Sequence, residues 1–289
     1  MNTAFNSIEF LYSFGYILSG FIIFIIGKFA YKILHPSTNI QAELVEKDNF
    51  SFILSYVGYF SALTIAIGGA IVGESFDFWT DIQHIFIYGT LAIPLLLIAA
   101  WISNKVILRK FDLKKEIIED KNEGSGIIEA AIYMANGLIL YGALLGESES
   151  LLEGLTTFVA YWAIGNIVLV LASKIFITWM RYDIHDAVEK DNVAAGVSFA
   201  GAILAIGIIT MNAILDPFED WTTTLIDISI QSAIGIVLLP IMRLFADKIL
   251  LPGRSLTDEI INQEKANVGA GLIEAFAYIA SAILITWSI

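Results

Sequence analysis

All sixteen Lys and Arg residues of this 289-residue chain fall on one side of it. The chain breaks into eight apolar stretches, roughly Phe10–Leu34, Phe50–Gly73, Ile82–Ser103, Gly126–Gly146, Leu151–Thr178, Val193–Leu215, Thr223–Phe245 and Ala266–Ile289. Each has about 20 or more residues, enough to cross a hydrocarbon core of about 30 Å as a helix. Every basic residue lies in, or within a few residues of, the gaps after the first, third, fifth and seventh stretches. Basic loops stay in the cytoplasm. The expected fold is all-α: a polytopic integral membrane protein with eight transmembrane helices and both termini on the non-cytoplasmic side.

Composition agrees. A soluble domain cannot hide a chain that is 57% apolar, whereas a bilayer accepts it. The absence of cysteine excludes disulfides, thiolate metal sites and Cys nucleophiles. His35, His84 and His185 are scattered without ligand spacing, so no metal site and no cofactor are expected. The net charge of -13 does not suggest nucleic-acid binding. The opening MNTAFNSIEF lacks the basic region of a signal peptide, and the first stretch reads as a retained helix. The outer gaps are short and acidic: Glu74, Asp77 and Asp81, then Glu147 and Glu149, then Asp216, Glu219 and Asp220. The longest inner gaps, 104–125 and 246–265, carry mixed charge and suggest short amphipathic helices at the membrane surface.

An internal repeat organises the chain. Glu46-Lys47-Asp48-Asn49 recurs as Glu189-Lys190-Asp191-Asn192, and Asn104-Lys105-Val106-Ile107-Leu108 as Asp247-Lys248-Ile249-Leu250-Leu251, both 143 positions later. Gly126-Ile127-Ile128-Glu129-Ala130 matches Gly271-Leu272-Ile273-Glu274-Ala275, 145 positions later, and Gly27-Lys28 matches Ser173-Lys174, 146 later. Two four-helix repeats follow, residues 1–147 and 148–289. An even number of crossings returns each copy to its starting side, so both copies have the same orientation. A pseudo-twofold pair of four-helix bundles about an axis along the membrane normal is the expected arrangement.

Tyr31-Lys32-Ile33-Leu34-His35-Pro36, followed by a polar gap and then Lys47-Asp48-Asn49 opening a helix, resembles the YjfL family. So does Lys190-Asp191-Asn192-Val193-Ala194-Ala195-Gly196-Val197-Ser198-Phe199-Ala200-Gly201, and again Lys265-Ala266-Asn267-Val268-Gly269-Ala270-Gly271. The resemblance spans nearly the whole chain. It implies a bacterial inner-membrane protein built as a tandem duplication of the family's four-helix unit, and no established activity.

Function must therefore be argued from residues. Glu129 and Glu274 occupy matched positions in the last helix of each copy. Tyr133 and Tyr278 follow four residues on, and Asn136 and Ser281 seven on, so each trio lies on one helix face. An ionisable group at the centre of a membrane helix costs about 2.5–3.5 kcal/mol and faces protein or water. The trios read as a cation or proton site. The competing reading is a carboxylate near a helix N-terminus, stabilised by the macrodipole. Lys28 and Lys174, also matched, either snorkel to headgroups or pair with Glu129 and Glu274. Arg243 reads as a third snorkelling residue near a cytoplasmic end. Pro94 and Pro240 lie inside the third helix of each copy and are hinge candidates. Gly196-xxx-Ala200 and Gly201-xxx-Ala205 have the spacing that lets membrane helices approach closely. Asn166, Asn212 and Gln231 suit interhelical hydrogen bonds.

Catalytic motifs are absent, so the chain is not expected to be an enzyme. Two function classes stand. One is a channel or transporter for a small cation or proton, using the paired intramembrane glutamates. The other is a non-transporting scaffold or sensor that recruits a cytoplasmic partner or anionic lipid through its basic loops, the 104–121 stretch above all. The expected partners are the lipid bilayer, a second copy of the chain and a cytoplasmic protein.

Overall fold

The computed structural model describes residues 7–73, 76–109, 112–146, 150–215, 220–251 and 253–288. Glu74, Lys110, Glu147, Glu149, Asp216 and Glu219 lie outside the described residues, as does the boundary expected between the two copies. The described residues hold no strand. Eight of their helices are long and apolar enough to cross a membrane.

The order is α1 (Ser7–Leu34), a π-helical turn (Ala42–Glu46), α2 (Phe50–Val72), α3 (Phe78–Ile107), α4 (Leu113–Ile118) and α5 (Glu123–Leu144). The second copy repeats it: α6 (Leu151–Trp179), α7 (Ile184–Glu189), α8 (Val193–Ala213), α9 (Trp221–Ile249), α10 (Leu256–Ile261) and α11 (Val268–Thr286). Short helices were expected in two basic gaps. A short helical element stands in all four. Each four-helix repeat is thus built of two hairpins, each a long helix of 28–30 residues, a short helical element, and a second helix of 19–23 residues.

One asparagine starts every second helix. The side chains of Asn49, Asn122, Asn192 and Asn267 accept from the backbone N–H three residues on, which satisfies one of the donors a helix start leaves unpaired. Asp48, Lys121 and Asp191, each just before a cap, take positive φ (46°, 53° and 58°) to turn the chain into the helix. The first three cap amides along the chain also reach the next hairpin. Asn49 Nδ2 donates to the Ile117 carbonyl (2.9 Å), Asn122 Nδ2 to Val188 (2.6 Å) and Asn192 Nδ2 to Ile260 (2.8 Å). Each acceptor is the fifth residue of the following short helix, so the bonds form a ladder that sets the hairpins in register.

The helices form two layers. One layer is the row α2–α5–α8–α11, and the other is α1–α3–α6–α9, each helix touching its neighbours in that order. Tight turns between spans make all helices of a layer parallel and the two layers antiparallel. The most extensive contacts are α2 with α5, α5 with α8, and α8 with α11. Small residues bring these backbones together: an ideal Cβ on Gly58 would lie 2.4 Å from Ala130 Cα, and one on Gly201 would lie 2.4 Å from Ala275 Cα. Between the copies Gly196 meets Gly124 and Gly207 meets Ala135. In a bilayer, where burial from water cannot drive helix association, such approach supplies the packing.

This corrects the expected pair of bundles. A twofold axis would match the α5–α8 contact with an α11–α2 contact, yet α2 and α11 end the row on opposite sides. The copies are related by displacement along the row, because the same small-residue interface serves within and between them.

Candidate functional site

Glu129 sits seven residues into α5 from its Asn122 cap, about 10 Å along the axis. Its Oε2 accepts from Ser55 Oγ of α2, and its Oε1 from Asn104 Nδ2 of α3 at 3.0 Å. The carboxylate is half-buried and borders a cavity of about 280 Å³, whose wall includes His35, Trp101, Asn104 and Tyr133. Asn104 Oδ1 is buried with no hydrogen-bond partner. His35 stacks on Tyr31 (ring centroids 4.2 Å) and lies 2.9 Å through Nδ1 from the Tyr31 carbonyl. Tyr31, Tyr59 and Tyr133 pack edge-on or tilted behind it, at 5.0 and 5.5 Å. No described cation pairs with Glu129. The cavity rim holds Leu34, Ile98 and Trp101, all exposed.

The matched site in the second copy is built differently. Glu274 is fully buried and forms an ion pair with Arg243 Nε of α9. Tyr278 donates to the same Oε1 at 2.9 Å, and Arg243 continues to Thr257 Oγ1 at 3.0 Å. By the 143-residue offset, Arg243 corresponds to Ala100 and Asp247 to Asn104. The second carboxylate therefore carries its own cation on the neighbouring helix, and the first does not. Glu274 Oε2 has no hydrogen-bond partner.

The structure separates several residues that the sequence grouped. Asn136 donates to the Ile132 carbonyl at 2.8 Å and Ser281 to that of Ala277, so both fold back on their own helices rather than joining the carboxylates. The proposed lysine pairings do not form. Lys174 is exposed, and Arg243 takes the place beside Glu274. Lys28 is exposed too and lines a different cavity, with Lys32. Pro94 and Pro240 lie within α3 and α9, which continue through them, and neither lines the Glu129 cavity. Asn212 reaches Gln231 across α8 and α9 at 3.4 Å, while Asn166 bonds the Trp162 carbonyl of its own helix. On the acidic side, Asp77 and Asp220 cap α3 and α9, and Asp81 accepts from Tyr16 at 2.8 Å. The caps hold the Asp77 and Asp220 carboxyls below the usual range through hydrogen bonds from Thr80 and Thr223.

Sequence reasoning missed Ser55, Asn104 and Arg243 as carboxylate partners. The signal was available for two of them. Asn104 and Asp247 are matched in the repeat, and residues one turn before them share their face, which selects Ala100 and Arg243.

Two antiparallel layers of spans, made from duplicated hairpins and holding matched carboxylates, define a multi-pass α-helical membrane protein with an internal tandem repeat. The family described as Domain of Unknown Function (DUF350) matches twice, over residues 5–144 and 150–289, and the chain belongs to that family. It is similar to a UPF0719 transmembrane protein of Aquifex aeolicus (strain VF5), 26% identical over 273 residues covering 92% of this chain and 98% of the relative. Neither match carries the YjfL name, but both fit a duplicated membrane protein of unknown function. No solved structure matches the chain.

Proposed function

We propose that this protein binds a small cation or a proton at Glu129 and moves it across the membrane, with the second copy serving as an internally neutralised counterpart. The orientation that accompanies this reading places the basic side in the cytoplasm of a bacterial inner membrane, both termini outside, as the one-sided Lys and Arg distribution argues. No enzymatic step is assigned to the protein.

One observation carries the reading: two matched carboxylates differ in that one is neutralised by Arg243 and the other faces a cavity with no cation of its own. A carboxylate held within membrane depth needs a partner for its charge, whether a bound cation or a proton. Glu129 is held by two neutral donors, Ser55 and Asn104, which orient it without cancelling its charge. The scaffold reading has less support. The short helices of the basic side are packed down by Leu113, Ile117, Ile184, Val188, Leu256 and Ile260, which are buried.

Flux in proteoliposomes tests this. Proton and monovalent-cation flux should be present for the native chain, fall at least tenfold in Glu129→Gln, and persist in Glu129→Asp. Absence of flux for protons and for every common cation would retire the transport reading.

A further inference from the structure

A second cavity lies at the seam between the copies, on the basic side. The last turn of α3, the end of α6 and the start of α7 enclose about 590 Å³. Arg109, Lys174 and Arg181 line it. All three are exposed, and none forms an ion pair with a described residue. Three convergent cations are notable in a chain of net charge -13. Val106, Ile107, Ile177 and Met180 form an apolar wall, and Thr178, Tyr182, Asp183 and His185 complete the lining. Beyond it the surface continues along α6 through exposed Ile175 and Trp179. The acid at the cavity, Asp183, is engaged: it caps α7 through the N–H groups of His185 and Asp186 and stands 3.5 Å from His185 Nδ1.

We propose that this seam cavity binds the phosphate of an anionic phospholipid, with an acyl chain lying along α6. Cations beside an apolar wall suit a molecule with an anionic head and an apolar tail, and basic pockets between membrane helices take such headgroups. Lys174 lies five residues before the end of α6, so its stem runs through apolar surroundings while its ammonium reaches phosphate depth. A free phosphate would use the cations and leave the apolar wall unmatched. The first copy repeats the pattern: Lys28, matched to Lys174, lines a cavity of about 900 Å³ with Lys32, Phe29 and Phe60. Conversion of the matched lysines from carboxylate partners to lipid ligands follows from where the structure places them, and it does not depend on transport through Glu129.

The test uses the full chain in detergent, titrated with phosphatidylglycerol, with phosphatidylcholine, or with inorganic phosphate. Thermal unfolding and native mass spectrometry supply the readouts. Phosphatidylglycerol should raise the unfolding temperature and be retained as bound lipid, and the other two should not. Lys174→Gln/Arg181→Gln should bind it roughly 30-fold more weakly. Lys190→Gln, whose lysine is paired with Asp186 away from the cavity, and Lys174→Arg should behave like the native chain. An equal response to inorganic phosphate, or unchanged retention of lipid in the double variant, would overturn the proposal. Should the double variant not fold, Lys174→Gln alone must still lower retention in the mass spectrum.

Discussion

Glu274→Gln leaves Arg243 as a mostly buried cation without its counter-charge. Breaking a buried pair from one side typically costs about 3–5 kcal/mol, so this variant should lose several kcal/mol in thermal or denaturant unfolding. Arg243→Met/Glu274→Met should recover most of that loss. Glu129→Gln, at the same position of the first copy, should change stability by less than about 1.5 kcal/mol, because Ser55 and Asn104 still find acceptors on the amide side chain or on each other. The soluble side offers a pH test. Glu43 accepts from Lys47 at 2.6 Å and from Asn49 at 2.9 Å. Burial raises its pKa, but those bonds and the Lys47 and Lys121 charges outweigh burial and bring it below the usual carboxylate range. Its stabilisation is therefore present above that range and lost as pH falls through the lowered value. Glu116 is raised, chiefly by burial, against the bond it accepts from Asn122. Its contribution is present below the usual range and fades as pH rises through the raised value. At pH 7 Glu43→Gln should destabilise the chain and flatten its acid response, whereas Glu116→Gln should be neutral or stabilising. At this scale the sequence singled out Glu129 and Glu274 but not what faces them, since partners 74 and 31 residues away are set by packing rather than by helix period.

Among the elements, the spans themselves were legible because apolar length is a strong signal, and observed ends differ from expectation by a few residues. The short helical elements between them were read in only two gaps. Six residues carry too little periodicity to stand out, and only packing of pairs such as Leu113 and Ile117, or Ile184 and Val188, holds them. Asn122 does not stand out in the sequence as a cap, since apolar character begins only near Gly126, four residues inside the span. Charge placement follows the layers. Lys32, Lys105 and Lys248 stand in the last turns of α1, α3 and α9, where the partial charge of a helix C-terminus favours a cation. Glu43, Glu116 and Glu259 stand next to the N-termini of the opposite layer, bonded to its caps. The basic side thus sets cations over the C-termini of one layer and carboxylates against the caps of the other, where Lys47, Lys121, Lys190 and Lys265 also stand. The tight helix seams give a direct prediction. Gly201→Ala places a Cβ against Ala275 Cα and should cost about 1–3 kcal/mol in unfolding experiments. Gly146→Ala, with nothing within 4 Å, should be close to neutral.

At the scale of the whole molecule, the repeat count and common orientation were legible, and the mode of assembly was not. Both a pair of bundles and an open row satisfy the same hydropathy and charge pattern; only the faces of α5 and α8 decide between them. The edges of the row differ from its interior. Where α8 presents Gly196 and Ala200, α2 presents Ile53 and the exposed Val57; where α5 presents Ala131, α11 presents the exposed Phe276. Residues 1–146 expressed alone would uncover the small-residue face of α5, with Gly124, Ala135 and Gly142. That fragment should self-associate in detergent, as read by sedimentation or cross-linking, and Gly124→Leu should suppress it. Displacement, unlike rotation about an axis, carries no condition of closure. Nothing in the backbone geometry therefore fixes the tally at four hairpins. A lineage could widen or narrow such a wall by whole hairpins, provided that the outermost side chains stay blunt, so the breadth of its footprint in the lipid is written at two rims rather than in its middle.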